Sequence, residues 1–102
     1  MAVKKKVGAR ELGRALAKIV KDEPLVKELW VSDNGCCKFH LWLIVEPLSL
    51  DEERDIFALV GPLWTQFPDV DFMVHPLNPN HFLGDTHQVL PQSAKQLPLH
   101  DA

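Results

Sequence analysis

Positive charge, long apolar runs and cysteine are all scarce in this chain of 102 residues. Eleven Lys and Arg stand against fourteen Asp and Glu, and the formal charge of −3 argues against a surface that attracts nucleic acid or anionic membrane as a whole. No apolar run approaches the roughly 20 residues that cross a bilayer, and Met1-Ala2-Val3 lacks the apolar core of a secretory signal. We therefore expect a cytoplasmic protein that binds neither nucleic acid nor membrane.

The two cysteines are neighbours, Cys36 and Cys37. Adjacent cysteines can join only through a strained ring, so we expect free thiols. With His40 nearby they still do not resemble a structural zinc site, which spaces its cysteines by about two to four residues. His75, His81 and His87 recur every six residues, and Asp85 lies near the last of them. A spacing of six matches neither a helical face nor a zinc pattern. We predict no metal ion and no cofactor.

The remaining composition is that of one soluble domain, with 46% hydrophobic and 25% charged residues. Folding at this length removes roughly 60 to 65% of the surface of the unfolded chain, so the core is adequate but small, and dimerisation would enlarge it. Residues 1–7, with Lys4-Lys5-Lys6, are predicted to be a solvated basic tail. Residues from about 76 to 102 are rich in Pro, Asn, His and Gln, and are predicted to be an irregular tail.

Hydrophobic spacing predicts a first helix from Gly8 to Lys21, which Pro24 cannot continue. An extended run follows from about Leu25 and ends at Val31-Ser32-Asp33. Asn34-Gly35 then favours a tight hairpin turn, because Asn and Gly readily adopt positive φ angles. The run from Phe39 to Glu46 alternates apolar and polar residues, which is typical of a second strand.

Ser49 and Glu52 form the sequence of a capping box, so a second helix is predicted to begin there and to run to Phe67. Gly61-Pro62 predicts a kink or a break in that helix. Val70–His75 is predicted to be a third strand, parallel to an earlier one through a right-handed crossover. The order α-β-β-α-β gives an α+β fold with a small mixed sheet of three or more strands and two helices packed on one face.

Residue alternation assigns the side chains of the two hairpin strands to opposite faces of the sheet. Leu29 and Val31 share one face of the first strand, and Trp30 lies on the other. In the second strand Phe39, Leu41, Leu43 and Val45 share one face, and the opposite face carries His40, Trp42, Ile44 and Glu46.

Leu12–Phe82 resembles the minimal nucleotidyltransferase fold of the DNA polymerase beta superfamily. Leu29-Trp30-Val31-Ser32 is similar to the strand of that family that ends in Gly-Ser, and His40–Glu46 is similar to its strand written Asp-x-Asp followed by apolar residues. Ser49–Phe67 is similar to the next helix, and Val70–Val74 to the strand that supplies a third carboxylate. The resemblance covers roughly two thirds of the chain and rests on pattern more than on identity.

The departures from that family concern its catalytic residues. The resemblance implies two metal-binding aspartates on one side of the second strand, and these positions are His40 and Trp42. Imidazole and indole do not replace the carboxylate oxygens that magnesium prefers. The glycine before Ser32 is replaced by Val31, and Asp71 alone matches the third acid. We therefore expect a catalytically silent relative.

The predicted function is that of a non-catalytic interaction module that binds a protein partner or forms a homodimer. Its predicted interaction face carries Trp30, His40 and Trp42, since aromatic residues are enriched at the centres of interfaces. Two alternatives stay open for this face: it is covered by a helix or by the tail of the same chain, or it is exposed to a partner.

The alternative function is a nucleotide-binding protein or enzyme with a reduced site at Ser32, Asp33 and Asp71. These residues could also be combined with His40 into a hydrolase, but spacing does not show that a nucleophile and a base are in hydrogen-bond contact. Turn capping by Ser32 and Asp33 explains both residues without any catalysis.

Overall fold

The computed structural model of this chain describes residues 8–33 and 38–99. The predicted Asn34-Gly35 turn, the cysteine pair and the basic tail lie outside these residues. The helices and strands are α1 (Ala9–Val20), β1 (Val26–Asp33), β2 (Lys38–Val45), α2 (Leu50–Gln66), β3 (Asp71–Leu77) and β4 (Lys95–Leu97). The predicted α+β class with two helices and a mixed sheet is confirmed, and a fourth strand follows the expected order.

The four strands form one mixed sheet in the order β3-β2-β1-β4. β1 pairs antiparallel with β2, and Trp30 lies opposite Trp42. β2 pairs with β3 in the predicted parallel sense, which places Trp42 opposite His75. β1 also pairs antiparallel with β4, where Trp30 lies opposite Gln96. One row of the sheet therefore carries an imidazole, two indoles and an amide side by side.

The C-terminal segment is more ordered than its composition indicates. It contains two short 3₁₀ helices, Pro79–His81 and Thr86–Val89, and then β4. The sequence prediction missed β4 because a strand of three residues has almost no periodicity of its own. Its position is set by tertiary contacts, namely the free side of β1 and the close approach of α1 at Gly13.

Both helices pack on one face of the sheet, as predicted. Leu41, Leu43 and Val45 of β2 lie in the core with the β1 residues Leu29 and Val31. The helices contribute Leu12, Leu16 and Val20 from α1 and Ile56, Val60 and Leu63 from α2. Burying side chains of this size contributes about 1.5–3 kcal/mol each, so the core fixes which face of each strand turns toward the helices.

Helix α2 begins at the predicted capping box. The Glu52 backbone N–H donates to Ser49 Oγ at 3.2 Å, and the Ser49 N–H donates to Glu52 Oε1 at 2.9 Å. The helix then continues through Pro62 to Gln66, so the predicted break is absent. Pro62 leaves the Ala58 carbonyl without its helical donor, but both residues are exposed and water can satisfy that oxygen.

A buried asparagine joins the end of β3 to the start of α2. Asn78 is 1% exposed, and its Oδ1 accepts from the Leu48 N–H at 3.0 Å. Its amide nitrogen donates to the Leu48 carbonyl at 2.9 Å and to Glu53 Oε2 at 2.9 Å. Because all these polar groups are satisfied inside the molecule, the chain is held in a defined path where it enters the C-terminal segment.

Gly13 allows α1 to lie directly against β1 and β4. A Cβ atom at this position would clash with Leu97 Cδ1 and would lie 2.9 Å from Val31 Cγ2. Helix propensity favours Gly13→Ala by about 1 kcal/mol, but overpacking a tight contact costs about 1–3 kcal/mol, so we expect a net loss of up to about 2 kcal/mol in the free energy of unfolding. Urea denaturation of the wild type and the variant measures this difference.

Gly61→Ala is the control, because Gly61 also lies in a helix but, apart from its two chain neighbours and the backbone of its own helix, no described atom lies within 4 Å of an added Cβ. The propensity gain of about 1 kcal/mol is opposed here by Pro62, whose ring disfavours the helical conformation of a preceding residue that has a Cβ, so we expect little change in stability. A Gly13→Ala protein as stable as Gly61→Ala would contradict the close packing of α1 on β4.

Candidate functional site

The face of the sheet turned away from the helices carries the residues predicted to form an interaction surface. We call it the second face; its central members are Trp30 and Ser32 on β1, His40 and Trp42 on β2, and Met73 and His75 on β3. Ser32 is buried, Met73 is exposed, and the two indoles and two imidazoles are half-buried. The described part of the chain therefore leaves this face partly open.

Three rings on the second face stack on one another, and we call them the ring cluster: His40, Trp42 and His75. The Trp42 and His75 ring centroids are 4.3 Å apart at an interplanar angle of 24°. His40 lies 5.1 Å from His75 and 5.9 Å from Trp42, with similarly small angles. The cluster exists because Trp42 faces His75 across the β2–β3 ladder and His40 precedes Trp42 by one full strand period.

The polar atoms of the ring cluster are largely engaged within the molecule. Trp42 Nε1 donates to Ser32 Oγ at 3.1 Å. His40 Nδ1 and His75 Nε2 are 2.9 Å apart, so one of them donates and the other accepts. Burial, together with the nearby His40 and Lys38, lowers the pKa of His75, which is therefore neutral at pH 7. The two outer nitrogens, His40 Nε2 and His75 Nδ1, are not used by this contact.

The C-terminal segment reaches the second face through a charged contact that we call the clamp: Glu28, Asp85 and His87. His87 Nδ1 lies 2.7 Å from Asp85 Oδ1, and His87 Nε2 lies 2.9 Å from Glu28 Oε1. Since both ring nitrogens face carboxylate oxygens, both donate, and the ring is an imidazolium. The Trp30 indole N–H also donates to Glu28 at 2.9 Å, and its ring meets His87 edge-on at 6.3 Å.

The clamp shifts the pKa of each of its members toward the charged form. Hydrogen bonds to Asp85 and Glu28 raise the pKa of His87. The backbone N–H and ring of His87 lower the pKa of Asp85. Burial by itself raises the pKa of Glu28, but the hydrogen bonds from Trp30 and His87 outweigh it and lower that pKa. The tail thus contacts the second face at Trp30.

The three residues of the nucleotide-binding alternative do not form one cluster. Ser32 and Asp33 line a groove of about 400 Å³ beside β4, together with Arg10 and Lys95. Asp71 begins β3, and β2 lies between it and β1. Ser32 Oγ already accepts from Trp42, and Asp33 is the one carboxylate among the described residues that line the groove.

The histidines of the C-terminal part have separate partners. His75 lies in the ring cluster, His87 in the clamp, and His81 Nε2 is 2.9 Å from Glu53 Oε2. Within residues 8–33 and 38–99, no group of three or more His, Cys, Asp or Glu side chains is arranged to hold a metal ion. Among the helices described, none has the length and apolar character to cross a membrane.

Comparisons with known proteins gave no similarity. No protein-family model, curated protein or solved structure matches the chain.

Two members of the site were not assigned to it from the sequence. His75 was considered as a metal ligand, although the alternation of β3 would have placed it on the same face as Met73, next to Trp42. His87 has no comparable signal, because a contact between residues separated by 59 positions depends on how the tail folds back over β1.

The clamp predicts a pH dependence with a definite sign. The pKa of His87 is raised in the folded protein, so its stabilisation is complete below the ordinary value of 6.5 and is lost as the pH rises through the raised pKa. We expect the free energy of unfolding to fall between about pH 6 and pH 8 by an amount that His87→Gln removes. Urea denaturation across this range, with the Trp30 indole proton followed by NMR, measures both effects.

His81→Gln is the control, since His81 is another tail histidine beside a carboxylate but does not contact the clamp. It should retain the loss of stability above pH 6.5 that the wild type shows. If His87→Gln retained that loss as well, the clamp would not be its source.

Proposed function

We propose that this chain is a non-catalytic interaction module, nucleotidyltransferase-like in its element order, whose second face binds a protein partner. The observation that carries the proposal is the ring cluster. At the two strand positions where the resemblance implies metal-binding aspartates, His40 and Trp42 stack with His75 on a half-exposed face.

The lack of catalysis is argued from the chemistry of these side chains. Two-metal phosphoryl transfer needs carboxylate oxygens that hold the cations. The cations in turn neutralise the negative charge that develops on the phosphoryl group. His40 Nδ1 is hydrogen-bonded to His75, and the Trp42 N–H is hydrogen-bonded to Ser32. The Trp42 N–H and one nitrogen of His40 are therefore engaged within the face, and neither side chain has a carboxylate oxygen for a cation.

The partner is inferred to be a protein segment with apolar side chains. Trp30 and Trp42 already use their indole N–H groups internally, so what they offer a ligand is apolar ring surface. Met73 is 45% exposed at the edge of the same face, and Met and Trp are both enriched in the centres of protein interfaces. The outer nitrogens of the His40–His75 pair are the polar atoms that this contact leaves for hydrogen bonds to a peptide group.

Selection of peptides from a random displayed library on the immobilised full chain tests the second face directly. We expect selected peptides to be apolar and to shift the indole N–H signals of Trp30 and Trp42 in NMR spectra, because both rings lie in the contact. Trp42→Ala should weaken binding by about thirtyfold or more, as expected of a residue at the centre of an interface.

Trp64 provides the matched control within the same spectra. It is 40% exposed but lies on α2, on the opposite side of the sheet. Its indole signal should stay in place, and Trp64→Ala should bind the peptides normally. Peptides that move Trp64 instead of Trp30 and Trp42, or a failure to select any peptide, would contradict the proposal.

The non-catalytic part of the proposal has its own test in thermal denaturation. ATP, GTP or CTP at millimolar concentration, with Mg²⁺ or Mn²⁺, should leave the melting temperature unchanged. A nucleotide bound with a Kd about tenfold below its concentration would add about 1.4 kcal/mol to the stability of the folded state, which is a shift of several degrees. Such a shift, lost in Asp33→Asn, would instead support a nucleotide site at the groove beside β4.

A further inference from the structure

Among the described residues, β3 is the edge strand on one side of the sheet. The sheet order places β2 on one side of it, and no described residue pairs with the other side. In the described part of the chain, no loop or side chain hydrogen-bonds to the backbone of Asp71–Leu77 from that side. A seven-residue edge with unpaired backbone groups can pair with a strand of another chain.

Pro76 indicates which backbone groups point outward. Proline has no N–H and is tolerated in a sheet where that missing group faces away from the neighbouring strand. Every second residue of a strand directs its backbone N–H and C=O to the same side. The N–H and C=O groups of Phe72 and Val74 therefore face outward like the backbone of Pro76. The alternate residues of β3, among them Met73, then direct their backbone groups toward β2.

Apolar side chains border this edge on both faces of the sheet. Met73 is 45% exposed on the second face. On the helix side, Trp64 is 40% exposed and stacks on Phe72 with ring centroids 5.0 Å apart. Edge strands of monomeric proteins are commonly protected by lysine or by a covering loop, whereas this one is bordered by methionine and tryptophan.

We propose that β3 pairs antiparallel with β3 of a second copy of this chain, about a two-fold axis through Met73. The two four-stranded sheets then join into one continuous sheet. Phe72 forms its ladder hydrogen bonds with the partner's Val74, and Val74 forms them with the partner's Phe72. Met73 lies against the partner's Met73 on the axis. Met73 and His75 also belong to the second face, but the pairing uses the outer backbone edge of β3, and the proposal does not depend on the function proposed for that face.

The polar side chains of β3 favour this register over the neighbouring registers. Asp71 is exposed and makes no hydrogen bond or ion pair with any described residue, and His75 Nδ1 is the nitrogen that His40 does not use. With Met73 on the axis, Asp71 lies opposite the partner's His75, and the symmetry repeats this contact. Centring the axis on Asp71 would oppose two carboxylates, and a parallel pairing would not close by a two-fold axis.

Substitutions of Met73 by residues of opposite charge test the proposed two-fold axis. In wild-type protein at tens of micromolar, sedimentation should show a species of twice the 11.6 kDa mass of the chain. Met73→Lys and Met73→Glu should each weaken dimerisation by about a hundredfold or more, because identical charges meet on the axis. An equimolar mixture of the two variants should recover the dimer, since opposite charges then meet.

The control pair is Leu83→Lys and Leu83→Glu, because Leu83 is fully exposed and lies outside β3. These variants should dimerise like the wild type. A monomeric wild type, a dimer unaffected by either Met73 variant, or a mixture that fails to pair would each overturn the proposal.

Amide hydrogen exchange tests the register even if a Met73 variant folds poorly. Raising the concentration of the wild-type chain should slow exchange at Phe72 and Val74, whose N–H groups face the partner. Exchange at Met73, whose N–H faces β2, should stay the same. Equal slowing at all three amides, or at none, would contradict the proposed pairing.

Discussion

Every side chain of β2 must face one of two different environments, because successive residues of a strand point to opposite sides of the sheet. Leu41 and Leu43 are fully buried under the two helices, and this leaves His40 and Trp42 on the other side. A register slip of one residue would expose both leucines and bury an imidazole and an indole, at a cost of about 1.5–3 kcal/mol for each leucine alone. The core thus fixes the composition of the second face.

Once that face is fixed, its rings satisfy one another. Trp42 bonds to Ser32 and stacks on His75, and His75 bonds to His40. The clamp holds the tail over Trp30 on the β1 side, whereas Met73 on β3 is 45% exposed. The centre of the face consists of aromatic rings and Met73, which do not supply the carboxylate oxygens that divalent cations prefer.

The features predictable from sequence are those with a local physical cause. The alternation of Phe39–Glu46, the capping box at Ser49 and the helix between two strands together predicted the class, the element order and the parallel pairing of β3. Of the kink or break predicted at Gly61-Pro62, the break is absent, because the Ala58 carbonyl that loses its donor is exposed to water. β4 and the clamp were missed since both depend on contacts between distant parts of the chain. The place of His75 on the second face was predictable, because β3 alternates and its parallel pairing with β2 sets His75 opposite Trp42.

The division of β2 between a closed face and an open one is tested most directly by NMR relaxation from a soluble gadolinium chelate. We expect the ring protons of His40 and Trp42 to relax strongly, because they lie on the half-exposed second face. The methyl protons of Leu41 and Leu43, which are covered by the helices, should be almost unaffected. The assignment of the two faces would be contradicted if the ring protons and the methyl protons relaxed to the same extent.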